Sequence, residues 1–138
     1  MIQLIYVSSA VHPFTTPELA ALLAHAREKN QRLNITGILL YKGGNLLQVL
    51  EGEEDVVNAL MASILADPRH VDTSVISKAT IEQRQFPDWS MAFRDLADPQ
   101  VQAMPGFSKF MHGTIDLGKY RDDPTGCFEV LNFFRDSR

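Results

Sequence analysis

This 138-residue chain has one cysteine, one tryptophan and no cluster of basic residues. The lone Cys127 excludes an internal disulfide and a cysteine-based zinc site. The four histidines, His12, His25, His70 and His112, lack metal-ligand spacing. A net charge of -4 argues against nucleic acid as the main partner, because phosphate binding needs a basic patch. No apolar run approaches the roughly 18 residues of a membrane span. The amino end, Met1-Ile-Gln-Leu-Ile-Tyr-Val7, enters a strand pattern with no charged leader or cleavage signal, so the expected setting is cytoplasmic, away from membranes. A Walker loop, a dinucleotide-binding glycine motif and a nucleophile elbow are all missing. No nucleophile–base pair is visible, and Cys127 sits near no obvious base. Glu53-Glu54-Asp55 reads as a helix start rather than a metal site. Catalysis on a substrate therefore has little support.

Apolar residues make up 45% of the chain and charged residues 22%, which fits one soluble domain with a real core. Residues 2–9 alternate as a strand, with Ile2, Leu4, Tyr6 and Ser8 on one face. Phe14-Thr-Thr-Pro-Glu18 announces a helix: a Thr cap, Pro17 near the first turn and Glu18 completing a capping box. Leu19, Leu22, Leu23, Ala26, Asn30 and Leu33 follow at helical spacing. Ile35–Tyr41 and Asn45–Glu51 flank Lys42-Gly43-Gly44, a hairpin signal. A second helix carries Val56, Val57, Leu60, Met61 and Ile64 inward and ends at Asp67-Pro68. Residues 71–81 form a weak strand pattern, and Trp89, Met91 and Phe93 alternate in another. The order β-α-β-β-α-β-β predicts an α+β sandwich of ferredoxin-like type. Residues 1–95 would form this domain. Residues 96–138 are broken by Pro99, Pro105 and Pro124 and read as a helical extension packed on the sheet. Its last helix, Gly126–Arg135, should turn Phe128, Leu131 and Phe134 inward.

Gln48 is the residue that most constrains function. It interrupts the apolar run Asn45-Leu-Leu-Gln-Val-Leu-Glu51, and a primary amide has up to four hydrogen-bonding sites to satisfy. Tyr6 in the first strand and Asn30 on the apolar side of the first helix make the same demand. Any one of them alone is more economically read as satisfying neighbouring backbone groups. Three neutral polar groups converging on one core point instead to a small polar ring system held between them.

These residues fall in stretches whose order and spacing resemble the BLUF family, blue-light sensors using flavin. The stretches are Leu4-Ile-Tyr-Val-Ser-Ser9, Phe14-Thr-x-x-Glu-Leu19, Ala26-Arg-x-x-Asn30, Asn34-Ile-Thr-Gly-Ile-Leu-Leu-Tyr41, Leu47-Gln-Val-Leu-Glu-Gly52, Asp67-Pro-Arg-His70 and Phe86-Pro-Asp-Trp-Ser-Met-Ala-Phe93. The resemblance implies a non-covalent flavin, FAD with FMN as the substitute, between the two helices over the sheet. It implies that Tyr6 is the photochemical electron donor, that Gln48 stands between it and the flavin, and that Asn30 pairs with the carbonyl and N3 edge of the ring. Lys29, Arg69 and His70 would lie close to the flavin, and Trp89 and Met91 would be the switch positions. Lys29, Leu46 and Ala92 depart from the residues common in the family at their positions. The resemblance also implies a short stand-alone sensor that is no enzyme itself. It would signal through the Trp89–Met91 strand and the extension to a separate output or regulatory protein, with self-association into a homo-oligomer left open. A flavin-dependent redox enzyme and a non-catalytic interaction module are the rival readings. A small-molecule hydrolase would need a nucleophile or an anion-binding arginine loop, and neither is visible.

Overall fold

The computed structural model describes residues 1–12, 14–93 and 125–136, without the side chains of residues 16, 89–93 and 128. Its elements are β1 (Ile2–Ala10), α1 (Thr16–Arg32), β2 (Thr36–Lys42), β3 (Asn45–Gly52), α2 (Glu54–Leu65), β4 (His70–Thr80), β5 (Trp89–Phe93) and α3 (Cys127–Asp136). The five strands form one sheet in the order β4-β1-β3-β2-β5. All neighbours pair antiparallel except β2 and β5, which run parallel. This is the ferredoxin-like α+β sandwich predicted from the sequence, with a fifth strand added beside β2.

Local chemistry accounts for the boundaries. Thr15 caps α1 by accepting from the Glu18 amide, and the Glu18 carboxylate accepts from the Thr15 amide, which satisfies two amides left over at the helix start. Glu54 and Asp55 fill the first turn of α2, where negative charge favours the positive end of the helix dipole. Gly43 and Gly44 take φ of +56° and +84°, the two-residue turn that matches the twist of a hairpin. Gly37 at φ +148° brings its Cα so close to β3 that an added Cβ would lie 1.8 Å from the Val49 carbonyl oxygen. Only glycine lets β2 approach β3 there.

Alternation divides the sheet into two faces. Leu39, Tyr41 and Leu46 pack with Leu19 and Leu23 of α1. Ile2, Leu4, Tyr6 and Leu50 pack with Val57, Leu60 and Met61 of α2. The opposite face, with Ile5, Ile38, Leu40, Leu47 and Val49, is covered by Phe86 and by Cys127 and Leu131 of α3. Leu131 is fully buried and Phe134 packs partly buried beside it, as the helical spacing predicted, while Phe133 points to solvent. The Phe128 side chain and residues 94–124, with Pro99, Pro105 and Pro124, lie outside the described residues.

A buried polar network fastens this second layer. Glu51, fully buried, accepts from Gln3 Nε2 at 2.9 Å and from the backbone amides of Gln85 at 3.1 Å and Phe86 at 2.8 Å. Thr125, just before α3, donates to Gln3 Oε1 at 2.6 Å. Arg84 donates to Thr36 Oγ1 and the Glu51 carbonyl at 2.7 Å each, and to the Asn34 carbonyl at 2.8 Å. These bonds set the path of the chain from β4 into β5.

Candidate functional site

Tyr6, Gln48 and Leu39 face one another across β1, β3 and β2, and the backbone of Met91 continues their row on β5. The row lies on the face covered by α1 and α2. Tyr6 and Gln48 are each only 5% exposed. The Tyr6 hydroxyl donates to Gln48 Oε1 at 2.5 Å, which satisfies the phenol and one end of the amide. No partner for Gln48 Nε2 is found among the described residues.

Both residues line a cleft that holds about 820 Å³ of space, the opening to solvent included. Leu22, Leu39, Leu46 and Ile64 give it apolar walls, and Asn30, Lys29 and His25 of α1 enter it from one helix. Asn30 is 2% exposed, and its Nδ2 is the one buried, unpartnered polar side-chain atom of the described residues that lines this cleft. A native interior rarely leaves such a donor unpaired. An apolar slot with a donor at one wall and an amide at its floor suits a flat ring whose edge carries carbonyl acceptors. The residues present therefore fit a flavin.

The loop after α2 closes the cleft. Asp67 accepts from the Arg69 amide at 2.9 Å and from Arg69 Nε at 3.0 Å, and the two side chains form an ion pair at 2.5 Å. Hydrogen bonds from Arg69 hold the Asp67 carboxyl down to about 2, from an ordinary value of 3.8. Burial pushes the Tyr6 phenol far above its usual range, and the negative charge of Asp67 adds to the shift. Burial also lowers the pKa of His70, against the pull of Asp67. His70 Nδ1 lies 3.0 Å from Thr73 Oγ1.

The structure brings Tyr6, Lys29, Asn30, Gln48, Arg69 and His70 together on this one cleft. Trp89 and Met91 take backbone positions beside Gly37 and Leu39, and their side chains lie outside the described residues. Sequence reasoning missed Asp67, His25 and Ser63 as lining residues. Asp67 reads in the sequence as a helix end and as the first residue of the stretch Asp67-Pro-Arg-His70, and its place two residues before Arg69 is the spacing of a local ion pair.

The family model described as BLUF, sensors of blue-light using FAD, matches residues 1–92. The photoactivated adenylate cyclase subunit beta of Euglena longa is 38% identical over 89 residues, 64% of this chain and 10% of that protein. The chain thus spans about a tenth of that curated relative. Among solved structures, BlrB, a BLUF protein in its dark state, is 28% identical with a TM-score of 0.68, covering 99% of this chain and 96% of that one. Klebsiella pneumoniae BlrP1, solved with FMN and cyclic diGMP, is 40% identical with a TM-score of 0.60 over 68% of this chain and 25% of that one. No described helix is long and apolar enough to cross a membrane.

Proposed function

The chain belongs to the BLUF family, flavin-binding sensors of blue light, and from that premise we propose that Tyr6 and Gln48 are its photochemical pair. The observation that carries this reading is the buried 2.5 Å hydrogen bond from the Tyr6 hydroxyl to Gln48 Oε1 at the floor of the cleft.

Bound flavin supplies the blue absorption and, once excited, the power to accept an electron. Tyr6 would be the donor of that electron, and its hydroxyl proton is aimed along a hydrogen bond at the Gln48 oxygen. Before excitation the phenol holds its proton firmly, because burial and the Asp67 charge both disfavour the phenolate. Return of the electron and proton would restore Tyr6 and leave Gln48 rearranged, by rotation or tautomerisation. An amide suits this role because its donor and acceptor ends differ little in shape. The Tyr6 hydroxyl both donates and accepts, so it satisfies either arrangement. Asn30 would hold the ring through its Nδ2, and Arg69 and His70, which line the same cleft, would stand beside it.

The preferred flavin in this reading is FAD, with FMN as the substitute. The chain turns over no substrate of its own. It works in the cytoplasm and passes its signal to a separate output protein, whereas some of its relatives are named as adenylate cyclases. The test is a spectrum of protein purified in the dark, recorded before and after blue light. A reversible red shift is expected. A steady flavin spectrum that bleaches only with reductant selects a redox enzyme. A folded, colourless protein that refuses added flavin removes the reading.

A further inference from the structure

Lys29 lines the ring cleft, yet it has no hydrogen-bonding or ionic partner among the described residues. It also lines a second, more open cleft between α1 and α2, and it shares both with Leu60 and Ser63 of α2. Lys29, Leu60 and Ser63 therefore border both clefts, on the α1–α2 side of the slot. A third cleft, lined by Phe14, Glu18 and Arg69, borders the slot on another side. There the arginine charge is committed to Asp67, and Glu18 adds a carboxylate that backbone and side-chain hydrogen bonds from Thr15 keep ionised. The Lys29 side offers an ammonium with no partner among the described residues. The acid lining its outer cleft, Asp55, is exposed and makes no ion pair with it. An ammonium with no counter-charge among the described residues is free to attract an anion, and an anionic group leaving the slot past it would supply that partner.

Resting on the flavin reading, we propose that Lys29 is a phosphate-recognition residue: it makes the cleft select flavins phosphorylated on the ribityl chain, FMN and FAD, over riboflavin. The phosphate nearest the ribityl chain is common to FMN and FAD, so Lys29 favours both against riboflavin without separating them. Compact and strongly charged, its ammonium suits a phosphate approached from one side, where a planar fork is not needed.

The full-length apoprotein, titrated with riboflavin, FMN and FAD and followed by flavin fluorescence, tests this. The wild type should bind FMN and FAD about tenfold more tightly than riboflavin, as one charge-assisted contact allows. That preference should shrink as salt rises. Lys29→Gln should bring FMN and FAD to the riboflavin level and leave riboflavin unchanged, and Lys29→Arg should retain the preference. An equal loss for all three ligands in Lys29→Gln would place Lys29 on the ring and overturn the proposal. Undiminished FMN preference in that variant would overturn it too. Failure of the wild type to bind any of the three is a separate result, and it counts against the flavin reading itself.

Discussion

A phenol and a primary amide inside an apolar sheet face are stable only if their polar atoms find partners, and each buried group left unpaired costs about 1–3 kcal/mol. Tyr6 and Gln48 satisfy each other at one end and leave the rest of the amide to a ligand. Tyr6→Phe removes the hydroxyl and the donor's redox chemistry but keeps the ring in its packing. It should hold flavin and fold normally, and the light-induced red shift should vanish. Gln48→Leu should also bind flavin without switching. Absorption spectra of the two variants before and after illumination check both, and a normal shift in Tyr6→Phe would take the donor role from Tyr6. Asn30 makes a different prediction because its Nδ2 has no partner to lose among the described residues. Asn30→Ala should weaken flavin binding by about 1–3 kcal/mol and leave the melting temperature of the apoprotein nearly unchanged. Flavin titration and a thermal melt separate the two effects; unchanged affinity with a lower melting temperature would make Asn30 structural. All three residues were legible in the sequence for one reason: each is polar at a position whose periodicity demands an apolar side chain. Asp67 was not legible, because an aspartate before proline after an apolar helix looks like an ordinary stop signal. Its influence on Tyr6 acts through space and leaves no trace in local pattern.

At the level of elements, caps, turns and strand alternation carried most of the information. The capping box of α1, the Gly43-Gly44 turn and the inward face of β3 follow from spacing alone. What spacing could not convey is which layer covers which face. Glu51 illustrates the gap: a glutamate closing an apolar run reads as the point where a strand reaches solvent, yet it is fully buried. It serves as the common acceptor for Gln3 and for the segment leading to β5. Long-range bonds of this kind depend on elements far apart in sequence, so no local window contains them. The same layer makes α3 a structural necessity for the sheet face beneath it. Leu131 is fully buried against that face, so Leu131→Ala should cost about 2–5 kcal/mol, the usual range for a buried leucine whose site collapses only in part. Chemical denaturation of the dark protein measures this. A loss well under 1 kcal/mol would mean that α3 sits on the sheet without stabilising it.

For the molecule as a whole, the cleft and α3 occupy opposite faces of one five-stranded sheet, so a signal from Gln48 to α3 has to pass through or around that sheet. The route proposed here runs along the row to β5, whose exit leads toward the extension. A two-state element that both ends can bias is what such coupling requires. Hydrogen exchange on dark and lit protein should therefore differ in the amides of α3, and Met91→Ala should mute that difference while keeping the flavin red shift. Identical exchange of residues 95–138 in the two states of the wild type would send the signal out through the helix surfaces or an oligomer interface instead. The row itself has a further consequence. Gln48 and Met91 are far apart along the chain, yet only two strand spacings, about 10 Å, separate them across the sheet, with Leu39 between. The proposed route would therefore be set by alignment and indifferent to contour length. Extra residues spliced into the β4–β5 connection ahead of the Arg84–Phe86 anchors should leave it intact. A one-residue slip of β2 against β3 would turn Leu39 to the wrong side and sever that route, although the β1–β3 pairing of Tyr6 with Gln48 would be untouched.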